Sequence, residues 1–378
     1  MYFQRDYIRE SAILARNDTY RLDLPKTGLL GSVMLSVVGV LQPGAFVNGG
    51  RWRIVDYIDK IEIVANGSTV VKSISGQCLQ ALMYWDQGVF SLDKIDSYGA
   101  TPQRAVFLLN FGRKLFDSDM YLDLSKFSSV ELRVTFSGTS THFSIDPSIS
   151  VMAYYLRGSG VPKAKGYLRT EEWRKWTTVS DEWRYLDLPE ELPLRRVLVQ
   201  AEPKVDANNL AVAKMYDVAY EIQLMLQTGG NTVFSGKVQD LMRDNILDNG
   251  AYALSGYNWY GNADKGFWNG LGYVHAIANA PMSQTGAAAS TVPTVKGPNG
   301  DGPTTGYESV ESDNVYSNLA IGMCPHNTLM FRFDQHPDPR TWLDPAAERV
   351  VNLNIHTRSG AEYADGTIRV VLDRLVEY

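Results

Sequence analysis

The tetrapeptide Leu-Asp-Leu-Pro stands at Leu22–Pro25 and again at Leu186–Pro189. Alone the pair carries little weight, because one apolar alternation resembles another. The constraint comes from further matches that follow in the same order. Leu30, Val33, Met34 and Leu35 fall on Leu194, Val197, Leu198 and Val199 without a gap. "KIEIVANG" falls on "EIQLMLQTGG", with Ile61 and Ile63 meeting Ile222 and Leu224. "SGQCLQALM" (Ser75–Met83) falls on "SGKVQDLM" (Ser235–Met242). "FLLNF" (Phe107–Phe111) falls on "LMFRF" (Leu329–Phe333), Leu122–Val134 on Leu343–Ile355, and Ser148–Tyr154 on Thr367–Asp373. Upstream, "YIR" at Tyr7–Arg9 resembles "YLR" at Tyr167–Arg169. We read a duplicated chain, with halves of about 1–160 and 161–378.

Each half is strand-rich. In "VELRVTF", Val130, Leu132, Val134 and Phe136 alternate with Glu131, Arg133 and Thr135. Tyr220, Ile222, Leu224 and Leu226 alternate in the same way. Period two is the signature of a sheet with one face on a core. "NGS", "TGGN" and "RSGAEYADG" supply turns between strands. One short helix is expected per half, from Leu79, Leu82 and Met83 and from Val238, Leu241 and Met242 at helical spacing. No strand–helix–strand alternation calls for a parallel sheet. Two antiparallel sheets packed face to face fit best, and strand pattern alone does not separate a jelly roll from other sandwiches. Each Leu-Asp-Leu-Pro is expected where an arm turns into the first strand, which makes Asp23 and Asp187 structural.

Catalytic readings find little support. The five histidines are His142, His275, His326, His336 and His356. Cys324, His326 and His336 make the best metal candidate, but a poor one, and a buried thiol beside a surface histidine explains the first two better. There is no nucleophile elbow and no phosphate-binding loop. No catalytic residue, metal or cofactor is therefore expected. The net charge of −6 gives no general reason to bind nucleic acid, and no sequence-specific nucleic-acid partner is expected. Two distant cysteines, Cys78 and Cys324, make no disulfide framework. The first twenty residues lack the apolar core of a signal peptide, and no apolar run reaches spanning length.

The halves differ in one connection. Between Met83 and Phe107 lie 23 residues, and between Met242 and Leu329 lie 86. This loop insertion, at about 243–326, is rich in Gly and gathers Tyr257, Trp259, Tyr260, Phe267 and Trp268. Such aromatics suit an outer loop, a subunit contact or a sugar-stacking platform. The last would make this a carbohydrate-binding or carbohydrate-active two-jelly-roll protein. The segment Arg157–Trp183 reads as a second copy of the N-terminal arm, with Trp173, Trp176 and Trp183 packed on the second half.

Taken together, the tandem halves, the paired "LDLP" and "SG…LM" segments and "FGR…D" (Phe111, Gly112, Arg113, Asp117) resemble the double jelly-roll major capsid proteins of tectivirus-like and adenovirus-like tailless icosahedral viruses. The resemblance implies an all-β fold of two tandem antiparallel eight-stranded jelly rolls. It implies a homotrimer of pseudo-hexagonal outline that tiles an icosahedral capsid beside neighbouring capsomers and minor capsid proteins. It places the protein in the virion, assembled inside the host cell, around an internal viral membrane in many members. The insertion would be an outer tower or a trimer-interlocking loop. "YFQRDYIRESAILAR" would be a terminal helix near that membrane, with Phe3, Tyr7, Ile8 and Leu14 roughly on one face, or else an arm packed on its own half or on a neighbour.

Overall fold

The computed structural model describes residues 1–40, 53–88, 102–204, 215–226, 230–250, 252–260, 271–283, 314–336, 338–348, 350–360 and 364–378, with backbone alone at 249, 252–260, 271–283 and 314–323. In the first half run β1 (Tyr2–Ile13), β2 (Asp18–Asp23), β3 (Leu29–Val40), β4 (Ile58–Ala65), β5 (Thr69–Ile74), α1 (Gly76–Gln87), β6 (Pro102–Asn110), β7 (Leu122–Asp123), β8 (Val130–Phe136) and β9 (Ser148–Arg157). In the second run β10 (Gly166–Thr177), β11 (Trp183–Asp187), β12 (Leu194–Glu202), α2 (Met215–Val218), β13 (Ala219–Leu226), β14 (Asn231–Lys237) and α3 (Val238–Asn249). Then come β15 (Tyr252–Tyr260), β16 (Leu271–Ser283), β17 (Asn314–Pro325), β18 (Thr328–Arg332), β19 (Val351–Thr357) and β20 (Thr367–Glu377).

Strand order repeats between the halves. In the first, β1-β9-β3-β6 form one sheet and β5-β4-β8-β2 the facing one. In the second, β10-β20-β12-β18 answer the first sheet and β14-β13-β19-β11 the other. Setting aside the two-residue β7 and the insertion strands β15–β17, each half thus places its first, eighth, third and sixth strands in one sheet and its fifth, fourth, seventh and second in the other. That interleaving is a jelly roll, and the chain is an all-β double jelly roll. Each set of facing sheets closes over its own core. Leu35, Ile61, Phe107, Leu132 and Phe136 are fully buried in the first, and Val197, Ile222, Leu224, Leu353 and Val370 in the second. The period-two reading of "VELRVTF" holds: Val130, Leu132, Val134 and Phe136 point inward.

Register reproduces the repeat residue by residue. Tyr7–Met152–Met34 pair across three strands where Glu172–Val371–Leu198 pair in the second roll. A bulge follows directly in each first strand, at Ile8 and at Trp173. Leu22–Leu132–Ile63 stand where Leu186–Leu353–Leu224 stand. Two sequence matches shift as a result. Tyr7 corresponds to Glu172 and not to Tyr167. Ser235 corresponds to Ser73, since Gln223 pairs with it as Glu62 pairs with Ser73.

Three further expectations change. "LDLP" does not open the first strand but closes the second, β2 and β11. Leu24 N–H donates to Val130 O at 2.8 Å and Leu188 N–H to Val351 O at 2.8 Å, so each buried leucine prolongs the ladder until proline ends it. The N-terminal arm is a strand, not a helix. β1 pairs with β9 from Tyr2 to Ile13 and satisfies a backbone edge that would otherwise stay open. The insertion is more than a loop: β15-β17-β16 form a separate antiparallel sheet.

The two expected helices, α1 and α3, behave as read and span 12 residues each, and the second half adds the four-residue α2. Ser75 caps α1 by accepting from the Cys78 N–H at 3.4 Å, and Gly88 ends it at φ 63°, a conformation that glycine adopts without strain. Gly250 occupies the matching place after α3, with φ 77°.

Candidate functional site

The rolls are joined where β5 and β10 pair in parallel, Lys72 beside Thr170 and Ser73 beside Glu171. This pairing fuses the second sheet of the first roll with the first sheet of the second, giving one eight-stranded sheet. Leu198, Met330 and Val371 reach across it into the first core. All of β12 is buried, since α1 and the first roll cover the face turned away from its own core.

Charge is buried at this seam. Asp373 accepts from Arg196 Nε at 2.9 Å, from Arg195 Nη1 at 3.2 Å and from Thr170 Oγ1 at 2.7 Å. Arg195 also donates to Asp334 at 2.7 Å, and both arginines reach Asp86 at the end of α1, at 3.2 and 2.8 Å. Lys72 Nζ donates to Thr170 Oγ1 at 2.6 Å. Three cations thus face three carboxylates, which is what makes such burial tolerable. Burial by itself would raise the Asp373 pKa, but Arg196, Lys72 and Arg195 outweigh it and hold the carboxyl at about 2. Burial pulls Lys72 down to about 8 against the attraction of Asp373 and Asp86.

A polar chain extends the seam along α1. Gln77 donates to Asp56 at 3.0 Å and accepts from Gln200 at 2.9 Å. Gln200 also accepts from Arg369 at 2.7 Å, and Arg369 reaches Glu202 at 2.8 Å. Gln80 Oε1 lies 2.9 Å from His326 Nε2. Burial, then Arg53, depress the His326 pKa to about 3, so the ring is neutral at ordinary pH. Burial pushes the Cys78 thiol up to about 12 and raises that of Cys324 as well. Cys324 thus lies buried in the second core, and His326 is buried at the seam rather than on the surface as expected; among the described residues no three His, Cys, Asp or Glu side chains cluster as metal ligands. "FGR…D" is structural too. Arg113 Nε donates to Asp117 at 2.8 Å, and a side chain at Gly112 would sit 2.7 Å from Met120 O.

The seam was missed at the sequence level, although a signal was there. Arg195 and Arg196 interrupt "LPLRRVLV", and Asp373 interrupts "VVLDRLV". Charges within otherwise apolar strands ask for buried partners. The first roll carries neutral groups at the same places. Ser32 stands at the Arg196 position, 2.8 Å from Asn110, and Tyr154 at that of Asp373.

The residues singled out from sequence lie elsewhere. Tyr257, Trp259 and Tyr260 are on β15, where backbone alone is described, and Phe267 and Trp268 lie outside the described residues. On β1, Leu14 just beyond its end is fully buried, Ile8 packs on the first core, and Tyr7 is exposed. Phe3 packs between Tyr154 and Leu156, its ring 4.9 Å from that of Phe116. Trp173 and Trp176 pack on the second core, and Trp183 stacks on His356 at 4.6 Å.

A fold of two joined jelly rolls defines an architectural class, and solved structures share it. The STIV MCP matches with a TM-score of 0.59 at 10% identity, covering 99% of this chain and 97% of its own. The major capsid protein of bacteriophage PM2 matches with 0.53 at 9% identity, covering 99% and 98%. PBCV-1 VP54 matches with 0.54 at 9% identity, covering 99% and 93%. No protein-family profile and no curated protein sequence matches the chain. At these identities the likeness is one of fold.

Proposed function

We propose that this protein is the major capsid protein of a tailless icosahedral virus. It is a structural component of the virion, with no catalytic role. The observation that carries the reading is a pair of jelly rolls repeated strand for strand in one chain, matched over 99% of its length by the STIV MCP. A hexagonal lattice position needs six similar edges, and three copies of a two-roll chain supply them. The chain divides near residue 160, three copies close into a trimer, and the trimers tile the shell beside minor capsid proteins. Many small contacts repeated across such a lattice hold it by avidity. The insertion with Tyr257, Trp259, Tyr260, Phe267 and Trp268 forms the outer tower or a subunit contact, and the N-terminal strand contributes contacts through its exposed side. Native mass measurement with negative-stain imaging tests the proposal. A stable trimer of hexagonal outline is the expected result, and a monomer that never assembles overturns it.

A further inference from the structure

The seam inside one chain uses two edges: the fifth strand of the first roll, β5, and the first strand of the second roll, β10. Duplication gives the chain one more copy of each. β14 is the fifth strand of the second roll, and β1 is the first strand of the first. Both end their sheets, and among the described residues neither pairs with a second strand. We infer that β14 of one copy pairs in parallel with β1 of the next, repeating the internal seam between chains. This deepens the trimer reading and rests on it.

Burial at matched positions supports the pairing. Val71, the bulge residue of β5, is 0% exposed, and its counterpart Val233 is 43% exposed. Tyr167 on β10 is 4% exposed inside the neighbouring roll's core, and Tyr2, its counterpart on β1, is 62% exposed. Trp85 on α1 packs on that core, while Leu247, at the same place in α3, is 83% exposed. Apolar side chains that the internal seam covers therefore stand uncovered on the two remaining edges. Such uncovered apolar groups mark an interaction surface. The charges are not copied: Asp86 at the end of α1 meets Arg195 and Arg196 of β12, where β3 has the neutral Ser32 at the Arg196 position, and the pairing instead brings exposed Asp248, the counterpart of Asp86, towards exposed Arg5 on β1. A contact between two different edges is heterologous, and with a rotation of a third of a turn per copy its repetition closes into the trimer ring.

The internal register fixes the external one. Thr170 lies beside Lys72 and Glu171 beside Ser73. Through the matched ladders, Arg5 lies beside Phe234 of the next copy and Asp6 beside its Ser235. The test is a double variant, Asp6→Cys with Ser235→Cys, treated with a short bifunctional maleimide; the two native cysteines are buried. A covalent trimer with no larger product is expected on a denaturing gel. Ile13→Cys with Ser235→Cys is the register control, since seven residues along a strand is about 23 Å, beyond the reagent's reach. A native trimer that stays uncrosslinked, or that crosslinks equally in the control, overturns the strand pairing and leaves the trimer standing. A monomeric native mass overturns both. Circular dichroism establishes that each variant is folded before either result is read.

Discussion

Asp373 lies in the middle of an apolar strand, where a carboxylate on its own would be untenable. Arg195, Arg196 and Thr170 make it a structural anchor by bonding both of its oxygens. Replacement by asparagine leaves two buried guanidinium groups and Lys72 with too little negative charge. Asp373→Asn is expected to lower unfolding free energy by about 3–5 kcal/mol, the usual loss when one member of a buried ion network is removed. Chemical denaturation at neutral pH measures it. The folded pKa of Asp373, about 2, lies below that of a free aspartate, so its contribution is present above pH ~4 and is lost as pH falls through about 2. The parent protein should therefore lose stability relative to Asp373→Asn over that acid window. A difference between the two that is flat with pH would contradict the assignment.

The helices show how one element serves two settings. Both α1 and α3 follow the fifth strand of their roll and end at a glycine. α1 is buried along most of its length and has a serine cap, while α3 has Lys237 at that position and no side-chain cap bond. Ser75→Ala is expected to destabilise by about 1 kcal/mol, the ordinary value of such a cap. Lys237→Ala should have a smaller effect, and urea midpoints compare the two directly. Element types followed from period and turn chemistry, since an inward-facing stripe is written into the order of side chains. The arm before Asp18 escaped that reading. A bulge shifts its alternation after Tyr7, and apolar residues at Phe3, Tyr7, Ile8 and Leu14 then imitate a helical face.

At the scale of the molecule, the insertion adds its own small sheet between α3 and β18, and among the described residues its strands join neither roll. Replacing residues 252–323 with a short Gly/Ser linker, comparable to the connection between α1 and β6, should leave both jelly rolls folded. The melting temperature should stay within a few degrees of the parent. Loss of cooperative unfolding would show that the insertion supports the second core. The shortened protein should still form trimers through β1 and β14, which native mass measurement would detect.

Order in the sequence was enough to reveal the duplication, the sheet character of both halves and the helix after each fifth strand. These are local properties, carried by period, turns and sequential matches. Pairing partners are not local. The union of β5 with β10 and the meeting of Arg195 and Arg196 with Asp86, Asp334 and Asp373 depend on residues far apart in the chain. "LDLP" illustrates the division. Its recurrence marked the repeat correctly, but its place at the end of the second strand of each roll depended on hydrogen bonds from Leu24 and Leu188 to partners more than a hundred residues away. A sequence records which residues want burial. Which surfaces bury one another is a matter of three-dimensional complementarity, and here that complementarity built the seam.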